Sequence, residues 1–435
     1  EQRQVFNSII NVVARQASEM FFLYGYGGTG KTFMWKTLAS ALRSKGQIVL
    51  TVASSDIASL LLPNGRTAHS KFSIPVPTLE NSTCNIHKGS ELAELLEATQ
   101  LIIWDEAPMA HKFYFEALDK IMKDIMCISH ANSLPFGGKV VVFGGDFRQI
   151  LPVIPRGSKS DIVHATINAS HLWDDCKVLK LTKNMLLYQN SASENAEEIK
   201  SFSEWLLDVG DGKLGQGDDG FSEIEIPSDS VITDFNDPIE SIVNHTYPHI
   251  RHNYNNENYL SNRVILATTI EVVDQLNEHV LNIIPSDEKE YLSSDSIDMT
   301  DVADCEAYHT VTPEFLHSLK TSGLPNHRII LKIGTPIMLI RNLDQAEGFC
   351  NGTRIIVSRM ANHVIEAQII SGKNIGSLVY IPQISLSPSE SPWPFKMIRG
   401  QFPVIMSFSM TINKSQGQSL ECVGLYLPNP IFSHG

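Results

Sequence analysis

The octapeptide Gly25-Tyr-Gly-Gly-Thr-Gly-Lys31-Thr32 constrains this chain more than any other feature. It follows a short apolar run at 20–24 and precedes an amphipathic stretch at 33–43, so it joins a buried strand to a helix. In that setting glycines let successive backbone N–H groups converge on an anion. Lys31 can then reach the β and γ oxygens of a nucleotide, and Thr32 can offer its hydroxyl to Mg²⁺. Gly25, Gly27, Gly28, Thr29 and Gly30 form the rest of this candidate ATP cradle.

The surrounding rhythm agrees. Apolar runs at 20–24, 48–52, 101–104 and 139–143 alternate with helical patterns at 33–43, 56–62 and 113–126. Runs of four or five apolar residues between helices predict a parallel sheet covered on both faces, hence an α/β domain. Pro75, Pro77 and Asn81 interrupt the rhythm and predict a small excursion over about 71–100, with a helix near 90–98. The run 101–104 ends in Asp105-Glu106, where an Asp can hold Mg²⁺ and a Glu can polarise an attacking water. The next run ends in Gly144-Gly145-Asp146-Phe147-Arg148-Gln149 and sets further polar groups on the same carboxyl edge, where α/β sheets bind ligands.

Composition narrows the class. At 435 residues two to four domains are expected, and no apolar run approaches the roughly 18 residues of a membrane span. The six cysteines lie far apart, which argues against disulfides and a cysteine zinc site. A net charge of -14 repels polyanions overall, so any nucleic acid must bind in a local channel. Between Arg328 and Arg359 five basic residues (328, 332, 341, 354, 359) face only Asp344 and Glu347, a candidate for such a local excess. From Trp205 to Glu240 ten acidic residues accompany Lys213 alone, among interleaved glycines, which predicts an exposed linker. A second α/β rhythm resumes with a strand at 263–268 and a helix at 272–283 and returns with strands at 404–408 and 423–427. Between them, alternating strands at 337–340, 354–357, 364–370 and 377–381 suggest a small inserted β-barrel. The chain starts at Glu1 rather than Met and stops at Gly435, so it reads as a fragment, and missing targeting signals carry little weight.

Other constellations are weaker. His245, His249 and His252 have spacings that could serve a metal, but no Cys or carboxylate stands at matching intervals, and a surface loop is the better reading. His69 is equally readable as a polar ligand contact or a turn histidine, and Phe72 as a base-stacking ring or core. No Ser or Cys carries a recognisable base motif, so hydrolase chemistry of that kind has no support.

Four strings are more specific: Gly25 to Thr32, Ile103-Trp-Asp-Glu-Ala-Pro-Met109, Phe143-Gly-Gly-Asp-Phe-Arg-Gln149 and Met410-Thr-Ile-Asn-Lys-Ser-Gln-Gly417. Together they resemble the petite-integration-frequency (Pif) family of DNA helicases, in particular its plant and Helitron-transposon-like branch. Gly65-Arg-Thr-Ala-His-Ser70, Tyr291-Leu-Ser-Ser-Asp295, Arg341-Asn-Leu-Asp344 and Cys350-Asn-Gly-Thr-Arg354 extend the resemblance over essentially the whole chain. It implies two RecA-like P-loop domains clamping one ATP, with a small Src-homology-three-like β-barrel inserted in the second. The implied layout is a first domain at 1–182, an acidic linker region at 183–250, a second domain at 251–328 and 386–435, and the barrel at 329–385. By the same resemblance Gln2 would read adenine, Lys31 and Thr32 would hold phosphates and Mg²⁺, Asp105 would be a metal ligand, Glu106 the base, and Gln149 the γ-phosphate sensor. Thr67 and His69 in the first domain, and Thr411, Asn413, Lys414 and Ser415 in the second, would line a track for single-stranded or partly duplex DNA.

Departures from the family pattern accompany the matches. The arginine expected after Leu-Thr-x-Asn-Met is Leu186, so one γ-phosphate charge donor is missing. Asp56 replaces a usual Gly beside the DNA path, Ile270 stands where an Asn is expected, and the chain stops before the Ser-Arg motif that carries the family's other arginine finger. The expected function is an ATP-dependent DNA helicase or translocase, 5′ to 3′ by resemblance, serving repair, recombination, telomere or transposon maintenance in the nucleus or mitochondrion. The alternative is a transposon-derived remnant that binds ATP and single strands but hydrolyses ATP poorly. A small-molecule P-loop kinase would leave the second α/β domain without a purpose.

Overall fold

A computed structural model describes residues 1–429 except 127–133, 156, 190–195, 215–222, 299–310, 322, 345–346, 373, 389–392 and 394. The chain divides into two compact units, with the boundary between Val231 and Ile232.

In the first unit α1 (Gln2–Ala14) precedes β1 (Met20–Gly25), α2 (Lys31–Arg43), β2 (Ile48–Ala53), α3 (Asp56–Leu60), β3 (Arg66–Thr67), α4 (Ala68–Phe72) and α5 (Glu91–Ala98). Then follow β4 (Thr99–Asp105), α6 (Lys112–Met126), β5 (Val140–Gly145), α7 (Lys159–Ala165), β6 (Cys176–Leu181), α8 (Met185–Gln189) and α9 (Ala196–Gly210). The six strands form one sheet in the order β3-β2-β4-β5-β1-β6, every pairing parallel. Successive side chains of a strand point to opposite faces, and the core divides accordingly. Phe22, Trp104, Val141 and Phe143 pack on one face, and Phe21, Leu23, Leu101, Ile103 and Val142 on the other. Such a side chain contributes roughly 1.5–3 kcal/mol when fully buried. This double coverage is why the strands read as unbroken apolar runs rather than as alternation. The acidic stretch begins inside α9, a helix with no buried residue.

The second unit opens with α10 (Pro238–Thr246), α11 (Ile250–Asn253) and α12 (Glu257–Ser261), followed by β7 (Arg263–Ala267) and α13 (Ile270–Ile283). Next come β8 (Glu288–Leu292), β9 (Ser294–Ile297), α14 (Pro313–Ser318), β10 (Arg328–Lys332), β11 (Pro336–Leu339), β12 (Arg354–Met360), β13 (Val364–Ile369) and β14 (Leu378–Pro382). The last strands are β15 (Ile384–Leu386), β16 (Met397–Gln401), β17 (Val404–Met406), β18 (Ser409–Thr411) and β19 (Cys422–Tyr426). A parallel sheet β18-β7-β19 carries the α/β part, and an antiparallel sheet β14-β13-β12-β11-β17 carries the all-β part.

One expectation is corrected here. The strand expected at 404–408 is not part of the parallel sheet: β17 pairs antiparallel with β11, and the chain joins the parallel sheet only at β18. The change of sheet is held by buried polar groups. Asn277 of α13 donates to the carbonyls of Met406 (3.3 Å) and Ser409 (3.2 Å) and accepts from the Ser409 amide (2.8 Å). The Tyr247 hydroxyl donates to the Phe408 carbonyl at 2.7 Å. A backbone leaving one sheet for another needs such partners, because unpaired buried amides are costly.

Candidate functional site

Strands β4, β5 and β1 are consecutive in the sheet, so three sequence motifs emerge side by side at one carboxyl edge. Between Gly25 and α2 the loop turns through Gly28 (φ +82°) and Gly30 (φ +91°), left-handed conformations that favour glycine. Thr29 Oγ1 donates to the Tyr26 carbonyl at 2.7 Å and closes the turn. Gln2 Nε2 donates to the Thr29 carbonyl at 3.1 Å, and a Cβ on Gly30 would meet it at 2.4 Å, so Gln2 lies against the loop backbone. Gly25 is buried, Gly27 exposed, and Thr32 half-buried in the first turn of α2. Lys31, buried, donates its ammonium to the Gly25 carbonyl.

At the end of β4 Asp105 is buried, and Glu106 adopts a left-handed conformation (φ 53°, ψ 40°). A non-glycine residue held there signals a constraint imposed by the surroundings. Burial raises the Asp105 carboxyl, opposed by the Lys31 charge. Glu106 is pushed up to about 7, by burial first and the Asp105 charge second, with Lys31 opposing. Asp105 Oδ1 and Glu106 Oε2 are buried without a hydrogen-bond partner. Two orphaned carboxylate oxygens beside a lysine suit a hard divalent cation and a water. The fit of Mg²⁺ to Asp105 is therefore good on the donor chemistry.

Near the end of β5 the chain must be glycine: a Cβ on Gly144 would lie 2.3 Å from Trp35 Cζ2 and 3.3 Å from Asp105 Oδ1. Asp146 then organises the loop, accepting from the Arg148 amide at 3.1 Å through Oδ1 and from the Gln149 amide at 3.1 Å through its carbonyl. Lys31, Asp105, Glu106 and Gln149 thus all stand on neighbouring strand ends or the loops that follow them.

Thr67 and His69 occupy the same edge farther along, since Ala53 at the end of β2 pairs with both Thr67 and Asp105. The Thr67 hydroxyl caps α4, accepting from Ser70 N at 3.3 Å. His69 packs edge-on against Tyr114 (4.5 Å between centroids), and burial lowers its pKa, opposed by Asp56. Phe72 is core, tilted against Trp104.

In the second unit Thr411 ends β18 opposite Ala267, and Asn413, Lys414 and Ser415 lie in the following 3-10 turn. Burial, and secondly the Arg341 charge, lower the Lys414 pKa. One residue beyond β7, the strand paired with β18, the Thr268 hydroxyl is buried without a hydrogen-bond partner. The basic run 328–359 needs correction. Arg354 is 1% exposed and donates to the carbonyls of Leu260, Ser261, Arg263 and Ser407, Lys332 is buried on the Ile284 carbonyl, and Arg328 is ion-paired with Glu290. Most of that excess is spent inside the protein. Among the described residues His245, His249 and His252 form no metal-ligating group. The group that does gather, Asp295, His317 and His327, is drawn from residues with no ligand spacing in the sequence. Its imidazoles stack in parallel 3.7 Å apart, and the Asp295 carboxylate is already neutralised by Arg399, which disfavours it as a ligand.

The family model described as PIF1-like helicase matches residues 1–220, half of the chain. The chain belongs to the PIF1-like helicase family. A second family model, that of the DNA helicase Pif1 2B domain, matches residues 314–360. The ATP-dependent DNA helicase PIF1 of Xenopus laevis is 23% identical over 442 residues, covering 100% of this chain and 58% of the relative. The ATP-dependent DNA helicase Pif1 of Bdellovibrio bacteriovorus is 26% identical over 412 residues, covering 93% of this chain and 78% of the relative. The chain thus spans just over half the length of the Xenopus relative. A crystal structure of Bacteroides Pif1 bound to ssDNA is similar with a TM-score of 0.63 at 19% identity, covering 97% of this chain and 84% of that one. Pif1 helicase from Candida albicans gives 0.59 at 19% identity, with coverages of 100% and 96%. These likenesses support the α/β architecture with its parallel sheet.

Proposed function

We propose that this chain is an ATP-dependent motor that moves on single-stranded DNA and separates duplexes, 5′ to 3′ as the family resemblance implies. The observation that carries the reading is the pair of orphaned oxygens on Asp105 and Glu106 at a strand end beside the Lys31 loop. Backbone N–H groups from Gly27 to Thr32, at the start of α2, receive the phosphates. Lys31 leaves the Gly25 carbonyl for a β or γ oxygen, and Gln2 stays against the loop where the base enters. Glu106 takes the proton from water as its oxygen bonds to the γ-phosphorus, and the bond to the β-phosphate oxygen breaks with its electron pair remaining on ADP. Thr32 and Asp105 would hold Mg²⁺, which would supply positive charge to the phosphate oxygens. Gln149, next to the Asp146 turn, senses whether the γ-phosphate is present. Thr67, His69, Thr411, Asn413, Lys414 and Ser415 carry the sugar-phosphate backbone, a sequence-tolerant contact.

The finer organisation belongs to the same proposal: two RecA-like domains at 1–182 and at 251–328 with 386–435, a linker region at 183–250, and a Src-homology-three-like insertion at 329–385. The motif strings favour the plant and Helitron-like branch, and the implied compartment is the nucleus or the mitochondrion, in repair, recombination, telomere or transposon maintenance. Among the described residues no helix is long and apolar enough to cross a membrane. One observation favours the remnant reading as second: Leu186, 58% exposed, stands where the family carries a cation. Single-turnover ATP hydrolysis with and without single-stranded DNA, followed by strand separation on 5′- and 3′-tailed forks, tests both. Strong stimulation and unwinding of the 5′-tailed fork support the motor, whereas ATP and DNA binding without turnover support the remnant.

A further inference from the structure

Arg148 has no role in the family pattern described above, yet its setting is unusual. It lies on the loop after β5, between the strand that ends in Asp105-Glu106 and the strand that ends in the Lys31 loop. Its guanidinium carbon sits 5.5 Å from the ring centre of Tyr24 and 5.8 Å from that of Tyr26, residues on either side of Gly25. Nε donates to Asp211 Oδ1 at 2.6 Å, 63 residues along the chain. Nη1 is buried without a hydrogen-bond partner, 3.6 Å from Asp146 Oδ1. Asp211 follows α9, whose last residue must be small, because a Cβ on Gly210 would lie 2.8 Å from Arg148 Cδ. Asp211 also takes Lys213 Nζ at 2.7 Å, so its charge is not reserved for Arg148 alone.

We propose that Arg148 is the cation that serves the γ-phosphate in this chain, in place of the arginine missing at Leu186, and that Asp211 latches it until nucleotide competes it away. The inference rests on the ATPase reading. Nη1 has a charge partner in Asp146 but no hydrogen-bond acceptor, and the guanidinium lies over Tyr24 and Tyr26, which flank the first glycine of the phosphate loop, so one donor is left for an incoming anion. A planar guanidinium poised over those rings can turn from carboxylate to phosphate, for which it has the same two-pronged geometry. The Asp211 carboxyl is held down to about 2, first by Arg148 and then by Lys213, so the latch is charged at any working pH and opens by competition, not by titration. In the hydrolytic step Arg148 exchanges no atoms: it adds charge to the γ-phosphoryl oxygens while Glu106 takes the proton and ADP the electron pair.

The test compares the full chain with Arg148→Ala, Arg148→Lys, Asp211→Asn, and Arg148→Ala combined with Leu186→Arg. It measures ATP and ADP affinity, single-turnover hydrolysis, trapping by ADP with aluminium fluoride, and thermal stability. Arg148→Ala should bind ADP within about threefold of the parent but lose about a hundredfold or more in turnover and in trapping, as loss of an arginine finger does. Arg148→Lys, which keeps stem and charge and so the fold, should not restore trapping. Asp211→Asn should raise DNA-independent turnover, and Leu186→Arg should restore the Arg148→Ala variant. Parental turnover and trapping in Arg148→Ala, with ADP bound, would overturn the inference while leaving the ATPase reading standing. Equal losses of ADP affinity and thermal stability in Arg148→Ala and Asp211→Asn would overturn it in favour of a structural brace. A parent chain that binds no nucleotide would overturn both.

Discussion

The Met185 amide donates to the Gly28 carbonyl at 2.8 Å, so α8 starts on the phosphate loop itself. Leu186 is the next residue, its amide held by Asn184 Oδ1 at 3.1 Å and its side chain 58% exposed. An arginine at that position would have room to reach the loop without displacing core. Leu186→Arg should therefore raise DNA-stimulated ATP turnover at least about tenfold, a fraction of what a full finger supplies. Steady-state phosphate release measures it, and an unchanged rate would show that α8 does not face the phosphate in the working state.

Lys31→Ala removes a buried cation that faces the phosphate loop. Nucleotide affinity should fall at least about tenfold, the loss of one charge-assisted hydrogen bond in a buried site. Equilibrium titration with a fluorescent ATP analogue checks this, and parental affinity would remove the loop from the nucleotide site.

Glu106→Gln keeps shape and loses the base, so ATP·Mg²⁺ should bind while hydrolysis falls about 10²- to 10⁴-fold. The pH linkage carries a defined sign. The Glu106 pKa is raised from 4.5 to about 7, so the folded nucleotide-free protein binds a proton there more tightly than the unfolded chain. This contribution to stability is complete below the unfolded value and is lost as pH rises through about 7. The Gln variant should match the parent near pH 4.5 and exceed it at pH 8, by on the order of 3 kcal/mol at most. Urea unfolding at the two pH values reads the difference, and an opposite sign would place the stronger stabilisation on the ionised form.

Lys414 is held close to Arg341 and its pKa is lowered by burial and then by that charge. An ammonium in such a place gains most from a phosphate. Lys414→Gln should weaken single-stranded DNA binding for all sequences alike and reduce the slope of log affinity against log salt by roughly 0.7. Fluorescence anisotropy across a salt series would show it, and an unaltered slope would take Lys414 off the DNA path.

Asp295 and Arg399 form a fully buried, two-pronged pair, with Nη2 2.8 Å from Oδ2 and Nε 3.0 Å from Oδ1. Arg399 also donates to the carbonyls of Leu316, Leu319 and Pro325, so it ties down the carboxyl end of α14. Asp295→Ala leaves a buried cation uncompensated and should cost about 3–5 kcal/mol. Chemical unfolding measures the loss, and a change under about 1 kcal/mol would mean that water enters to solvate Arg399.

The sequence by itself determined the local chemistry. The glycines before Lys31, the apolar runs before Asp105 and before Asp146, and the helical period after Lys31 are each dictated within a few residues, by steric limits on φ and by the spacing of side chains on a strand. Strand ends on a parallel sheet then had to share an edge, so Lys31, Asp105, Glu106 and Gln149 were legible together. The fold alone decided what depends on distant loops meeting. Arg148 finds Asp211 63 residues away, and the acidic composition around Asp211 reads as linker until α9 brings it back to the loop after β5. Arg354 lies in a basic run and turns out to be buried, because only the tertiary arrangement brings four backbone carbonyls to one guanidinium. Residues 404–408 read as a strand of the parallel sheet, yet 404–406 pair with β11 and the chain joins the parallel sheet only at 409–411, with Asn277 holding the crossing, since hydrogen-bond partners, unlike hydrophobic period, are chosen by whatever backbone stands alongside.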